Sequence, residues 1–324
     1  MKKLFKEDDI DKNASGKNLK SLKKSEKIRS DFILKYGYVP DSILKHNRAT
    51  SSKGAVLLKR RYQDQTDRRL KKAKNGNSDL QKRFFASSGK NVRAGKMAAL
   101  STFPQDIGHL IVDFYCPKNG IVYDPFAGHN SRMELTFKSD RHYIGVDLSK
   151  EFMEANRQIR NKLIERKPFF KSDKTIKLIE CSSAKVDLPD NYGDFTITSP
   201  PYWNIEYYGD ELEQLGNAKT YNKFLELISG HIKENFRILK HGAFCAWFVN
   251  DFVKNKIFYP YHADLIHIFI NVGFEIFHTY IIDLGSSIAQ AFVQDIINNK
   301  RFPKRHEYCL LFRKPDKKET NNGT

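Results

Sequence analysis

The residues best suited to chemistry in this sequence are Ser199, Pro200, Pro201 and Tyr202, which follow the apolar run Phe195-Thr196-Ile197. Two consecutive prolines fix the backbone and leave no amide donor, so the Ser199 hydroxyl and the Pro200 carbonyl stand as acceptors in a rigid wall. Tyr202 adds a flat face. Acceptors beside a flat face suit a planar ring with an exocyclic amine, which has hydrogens to donate and a surface to stack. The competing structural reading is a proline turn with a core aromatic, and the position at a strand end, downstream of an acidic strand end, favours function.

That acidic strand end forms a second constellation. Asp124-Pro125-Phe126-Ala127-Gly128 follows the strand-like 120–123 and precedes a helix. Gly128 allows a bound molecule to approach the backbone, and Asp124 can accept hydrogen bonds from an ammonium group. The next strand, 142–146, ends in Asp147-Leu148. An acid about 20 positions past a glycine turn is the usual holder of two ribose hydroxyls. Without Gly-x-Gly-x-x-Gly the turn is not built for a pyrophosphate, so a nucleoside without phosphates is favoured over a dinucleotide. The four cysteines lie at least 64 residues apart. Such spacing suits buried apolar thiols rather than disulfides or a metal site, and none is expected.

The elements that must position these residues alternate. Strands are expected at 120–123, 142–146, 176–179, 195–198, 243–249, 275–282 and 308–312, and helices at 104–116, 149–166, 220–239 and 261–272. This alternation predicts an α/β fold, a Rossmann-like doubly wound, mainly parallel seven-stranded sheet, with ligands outside the carboxyl ends of its strands.

Of the net charge of +18, residues 1–100 carry 27 Lys/Arg against 10 Asp/Glu, and residues 101–324 carry 29 against 28. A basic segment on a near-neutral globular part is the electrostatic outline of a nucleic-acid binder. We expect a basic, partly flexible region over 1–95, a catalytic domain over 96–315 and a flexible tail over 316–324. The first 30 residues should be mobile, 31–44 a small docked element, and the stretch from Lys59-Arg60-Arg61 through Arg68 and Arg69 helical. The loops 204–217 and 285–305, the latter with Lys300 and Arg301, are candidates for base or phosphate contacts. No apolar run approaches the ~20 residues needed to span a bilayer, and a soluble, cytosolic protein is expected.

Taken together, the motifs resemble those of the S-adenosylmethionine-dependent DNA amino-methyltransferases, which modify N6 of adenine or N4 of cytosine. The resemblance covers about residues 100–315. It implies S-adenosyl-L-methionine as cofactor and double-stranded DNA as partner. It also implies catalytic roles for Ser199, Pro200, Pro201 and Tyr202, with cofactor contacts from Asp124, Pro125, Phe126, Ala127, Gly128, Asp147 and Leu148. Ser101-Thr102-Phe103-Pro104 is similar to the segment at the methionine end of the cofactor, giving Thr102 and Phe103. Cys181-Ser182-Ser183-Ala184 is similar to the region bordering the adenine ring, giving Ser182 and Ser183, although Ser182 stands where an Asp is common. Asn130 stands where a second glycine is usual and tolerates a left-handed backbone. Lys59, Arg60, Arg61, Arg68, Arg69, Lys300 and Arg301 are the expected nucleic-acid contacts. The motif order, with His306-Glu307-Tyr308 near the end, is similar to phage or prophage enzymes, some of which belong to restriction-modification systems. An RNA amino-methyltransferase, or a catalytically silent nucleic-acid binder on the same fold, are the open alternatives.

Overall fold

The computed structural model describes residues 24–46, 103–165, 173–203, 213–285 and 293–317. The chain forms two compact units, Met1–Ser42 and Ile43–Thr324. The first contains helix α1 (Lys24–Tyr36), in which Phe32 and Tyr36 pack four residues apart. The helix begins inside the stretch expected to be mobile. The boundary expected near residue 95 lies outside the described residues.

All other described elements belong to the second unit. They are β1 (Ile43–Lys45), α2 (Gln105–Tyr115), β2 (Ile121–Asp124), α3 (Ser131–Lys138), β3 (His142–Asp147), α4 (Lys150–Glu165), β4 (Ile176–Glu180) and β5 (Gly193–Thr198). They continue with α5 (Tyr221–Ile238), β6 (Leu239–Val249), β7 (Phe252–Lys254), β8 (Ile257–Tyr259), α6 (Tyr261–Val272), β9 (Glu275–Asp283), α7 (Val293–Asn299) and β10 (His306–Arg313). The main sheet has eight strands in the order β1-β9-β10-β6-β5-β2-β3-β4. β10 is antiparallel to both neighbours, and every other pairing is parallel.

The seven expected strands are all present, and the expected count is corrected by one. β1 pairs parallel with β9, through Leu44↔Ile282 among others. α7 replaces part of the expected loop 285–305.

Helices cover both faces because β6 alternates. Trp247 packs against Phe269 of α6 with ring centroids 4.9 Å apart, and Phe248, on the opposite face, packs against Phe103 at 4.6 Å. The parallel strands are buried accordingly: Val122, Tyr123, Val146, Phe195 and Ile197 are wholly inaccessible, as expected for a sheet clad on two sides. That cladding leaves strand ends as the exposed functional edge. The carboxyl ends of β2, β3, β4 and β5 lie on that edge with the amino end of antiparallel β10.

Candidate active site at the strand ends

At the end of β2, Asp124 is fully buried and its two oxygens are shared among four donors. Oδ1 accepts from Thr198 Oγ1 at 2.6 Å and the Phe126 amide at 3.3 Å, and Oδ2 accepts from Arg132 Nε at 2.7 Å and the Tyr143 hydroxyl at 2.8 Å. These donors come from β5, the following turn, α3 and β3, so one carboxylate ties three strand ends and a helix together. Gly145 makes the Tyr143 bond feasible. A Cβ there would sit 2.6–3.0 Å from the Tyr143 ring and hydroxyl, which cross this position on the way to Asp124. Arg132 Nη2 also donates to the Phe126 and Ala127 carbonyls at 2.5 and 3.1 Å, and its guanidinium lies 5.2 Å over the Phe103 ring.

Asp147, at the end of β3, is only partly buried. Its Oδ2 accepts from the Gly128 amide at 2.7 Å and its Oδ1 from the Ser149 amide at 2.8 Å. Burial pushes its carboxyl up to about 6, against the opposing pull of those two amides. The bond to Gly128 fixes a turn in which Gly128 has φ +46°, where a side chain would be strained. Asn130 has φ −65° and stands right-handed at the N-terminus of α3, so its tolerance of a left-handed backbone is not used there.

After β5, Ser199-Pro200-Pro201-Tyr202 forms a wall backed by aromatic rings. Tyr202 meets Phe252 and Tyr261 edge-on at 6.1 and 5.8 Å, and the Tyr261 hydroxyl donates to the Pro201 carbonyl at 3.3 Å. Trp203 donates to the Ala218 carbonyl at 2.8 Å, packs on Tyr221 and Tyr259, and carries the Lys254 ammonium over its ring at 4.3 Å. No hydrogen bond to the Ser199 hydroxyl is found among the described residues.

These strand ends border an open cleft. Phe103, Pro125, Phe126, Gly128, Asp147, Leu148, Ser182 and Ser183 line it, and so do Ser199, Pro200, Pro201 and Tyr202. Asp124 and Ala127 lie beneath it. The expectation that Asp124 meets an ammonium group is corrected, because its acceptor capacity is used inside the protein. Thr102 and the basic residues Lys59, Arg60, Arg61, Arg68 and Arg69 lie outside the described residues. Lys300 and Arg301 are exposed after α7 and do not line the cleft.

The sequence matches the N6/N4 methyltransferase family, described as DNA methylase, over residues 8–158 and 194–324. The chain belongs to that family. It is an S-adenosylmethionine-dependent DNA methyltransferase that acts on an exocyclic amine, which decides for DNA among the alternatives the sequence left open. No curated protein matches the sequence. Similar solved structures include a SAM-dependent methyltransferase from Methanosarcina mazei, 14% identical, over 67% of this chain and 100% of that chain with a TM-score of 0.44. Another is a proposed DNA modification methylase from Thermus thermophilus complexed with S-adenosyl-L-methionine, 25% identical, over 40% of this chain and 51% of that chain with a TM-score of 0.32.

The cleft is also lined by His129, Arg132, Phe152, His231 and Glu307, to which the sequence assigned no role at the site, and by Glu213, Gln214 and Leu215 of the loop 204–217, which was expected to meet the nucleic acid. His231 shares a 2.8 Å hydrogen bond with Ser183 Oγ and packs on Phe126 at 5.2 Å. Burial lowers its imidazole to about 4, so it is neutral near pH 7. On sequence it is a lone histidine on the apolar face of α5. The sequence signal for Glu307 is an acid opening the apolar strand Tyr308-Cys309-Leu310-Leu311-Phe312. The cysteines are unpaired, and burial raises the thiols of Cys116, to about 12, and of Cys181, Cys245 and Cys309. Such thiols are poor nucleophiles.

Proposed function

We propose that the cleft holds S-adenosylmethionine against Phe126 and Leu148, with Asp147 accepting from its ribose hydroxyls and Ser182 and Ser183 at the edge of its adenine. In the same reading, Ser199 and Pro200 receive the hydrogens of the target amine while Tyr202 stacks on the target ring. The observation that carries this is Asp124: its bonds to Thr198, Tyr143 and Arg132 hold the ribose-type acid and the Ser-Pro-Pro-Tyr wall at one cleft. The charge of the lining supports the cofactor. Among the described residues, Asp147, Glu213 and Glu307 outnumber the guanidinium of Arg132, a balance that suits a cation and not a phosphate.

When bound, the cofactor supplies an electrophilic methyl on a sulfonium. The work of the chain is positioning. An aromatic amine is a poor nucleophile because its lone pair is delocalised into the ring. Accepting its hydrogens at Ser199 Oγ and the Pro200 carbonyl favours a pyramidal nitrogen and aims the lone pair. The aromatic cage of Phe252 and Tyr261 fixes the Tyr202 ring. No thiol is needed.

The substrate in this reading is duplex DNA, with the target base flipped out of the stack at a cost of a few kcal/mol. The excess positive charge of residues 1–95 supplies the phosphate grip. Exposed Lys300 and Arg301, followed by Phe302 at 88% exposure, offer a second contact. An enzyme with this substrate works in the cytoplasm of a bacterial or phage-infected cell. No helix among the described residues is long and apolar enough to cross a membrane.

The test separates the two halves of the cleft. Tyr202→Ala should lower the single-turnover methyl-transfer rate on unmodified DNA by about 100-fold, while calorimetric affinity for S-adenosylmethionine stays within about twofold. Wild-type turnover by this variant would return Ser199–Tyr202 to a structural turn.

A further inference from the structure

We propose that Glu307 is the acceptor for the α-ammonium of the cofactor's amino-acid end, a reading that rests on the cleft being the cofactor site. An α-ammonium brings three N–H donors and a positive charge into a buried place, and it needs an acceptor that the protein has not already used. Asp124, the acid that the sequence offers for this, has four donors of its own and no face on the cleft. Glu307 is the reverse case. It is 7% exposed, it lines the cleft, and no hydrogen bond to its carboxyl is found among the described residues. Lys304 and Arg132 act on it only through space, too weakly to offset burial, which pushes the carboxyl up to about 7. A buried acid without a donor is costly, and a ligand that supplies donors relieves the cost.

The strand register sets the side of the cleft on which Glu307 stands. Alternation along β10 puts Glu307 on the face of Cys309, which pairs with Phe248 of β6. Phe248 packs on Phe103, and Arg132 lies over Phe103. Tyr202 instead packs on Tyr261 of α6, the helix that covers Trp247 on the opposite face. Glu307 therefore stands with Phe103 and Arg132, away from the ring assigned to the target base. A sulfonium has no N–H to donate, so it would leave the Glu307 oxygens without a partner.

The test is calorimetry above pH 7 on the full chain and on Glu307→Gln, with S-adenosylmethionine, S-adenosylhomocysteine and 5′-methylthioadenosine. The second ligand keeps the amino acid but lacks the sulfonium, and the third lacks both. The expected result is a loss of about 10- to 100-fold for the first two and no change for the third. Unchanged 5′-methylthioadenosine binding also reports a folded adenosine site. Equal losses for all three, a loss for S-adenosylmethionine alone, or no loss would each overturn the assignment. If the unsubstituted protein bound none of the three, the cofactor reading of the cleft would fall first.

Discussion

Two aspartates end adjacent parallel strands of this methyltransferase, and they have opposite employments. Asp124 on β2 is inaccessible and saturated, holding a threonine, a tyrosine, an arginine and a backbone amide from four segments. Asp147 on β3 receives only two backbone amides among the described residues and keeps part of its surface on the cleft. The two acids look alike in sequence, each closing an apolar run. What separates them is donor supply. Where neighbouring side chains fill every acceptor position, an acid becomes a joint of the scaffold; where only two backbone amides donate, it has capacity left for a ligand.

Asparagine at both positions should separate these roles. Asp124→Asn removes a buried charge and turns one acceptor oxygen into a donor among donors, leaving Arg132, itself nearly inaccessible, without its counter-charge. Breaking a buried pair in this way costs about 3–5 kcal/mol, so chemical denaturation should show a loss of that order. A stability loss below about 1 kcal/mol would remove Asp124 as the joint. Asp147→Asn should shift folding stability by no more than about 1 kcal/mol, since it loses one amide bond and also the burden of a desolvated charge. Its affinity for S-adenosylmethionine should fall by about 1.5–3 kcal/mol through loss of charge-assisted bonds. The pH dependence has a definite sign. The folded carboxyl titrates near 6, above an unfolded value of about 3.9, so its contribution to stability is present at low pH and is lost as pH rises across that window. Hydroxyls that donate to the carboxylate favour its ionised form, so below about pH 6 cofactor affinity should fall more steeply in the wild type than in Asp147→Asn, which keeps only the pH dependence set by Glu307. Parallel pH profiles for the two proteins would remove the ribose assignment.

The contrast also shows what could be read from the chain alone. Seven strands were legible because each is an apolar run bounded by turn or helix signals, and both acids were placed at their strand ends. β1 was not legible: Ile43-Leu44-Lys45 buries only Leu44, too little for a periodicity. Hairpin β7–β8 turns through Asn255 and Lys256, both at positive φ, and only the asparagine advertises such a turn. Seven-residue α7 is too short for a helical pattern to emerge. At the site, the Ser199–Tyr202 wall, the Gly128 turn and Asp147 follow from local sequence. The saturation of Asp124 does not, because its partner Thr198 lies 74 residues away and Tyr143 reaches it only across Gly145. The same holds for His231 and Glu307, which the fold brings to the cleft from a helix face and an antiparallel strand.

The smallest expected effect bears on how far the joint reaches. Thr198 immediately precedes Ser199, and its hydroxyl is the link from β5 to Asp124. Thr198→Val keeps the shape and the β-branch of the residue and removes that link. Asp124 would retain three donors, so the stability loss should lie near the lower end for bonds to a charged group, about 1.5 kcal/mol. Cofactor affinity should be unchanged, since Asp147 and its two amides are untouched. The methyl-transfer rate in single turnover should still fall, by about tenfold, if the bond sets the position of the Ser-Pro-Pro-Tyr wall relative to the cofactor. That split matters because general destabilisation would lower neither the affinity nor the single-turnover rate of the folded fraction. A Thr198→Val enzyme that is less stable yet transfers methyl groups at the wild-type rate would show that Asp124 secures the sheet without aiming the wall. The aromatic cage around Tyr202 would then be left to fix the wall by packing alone.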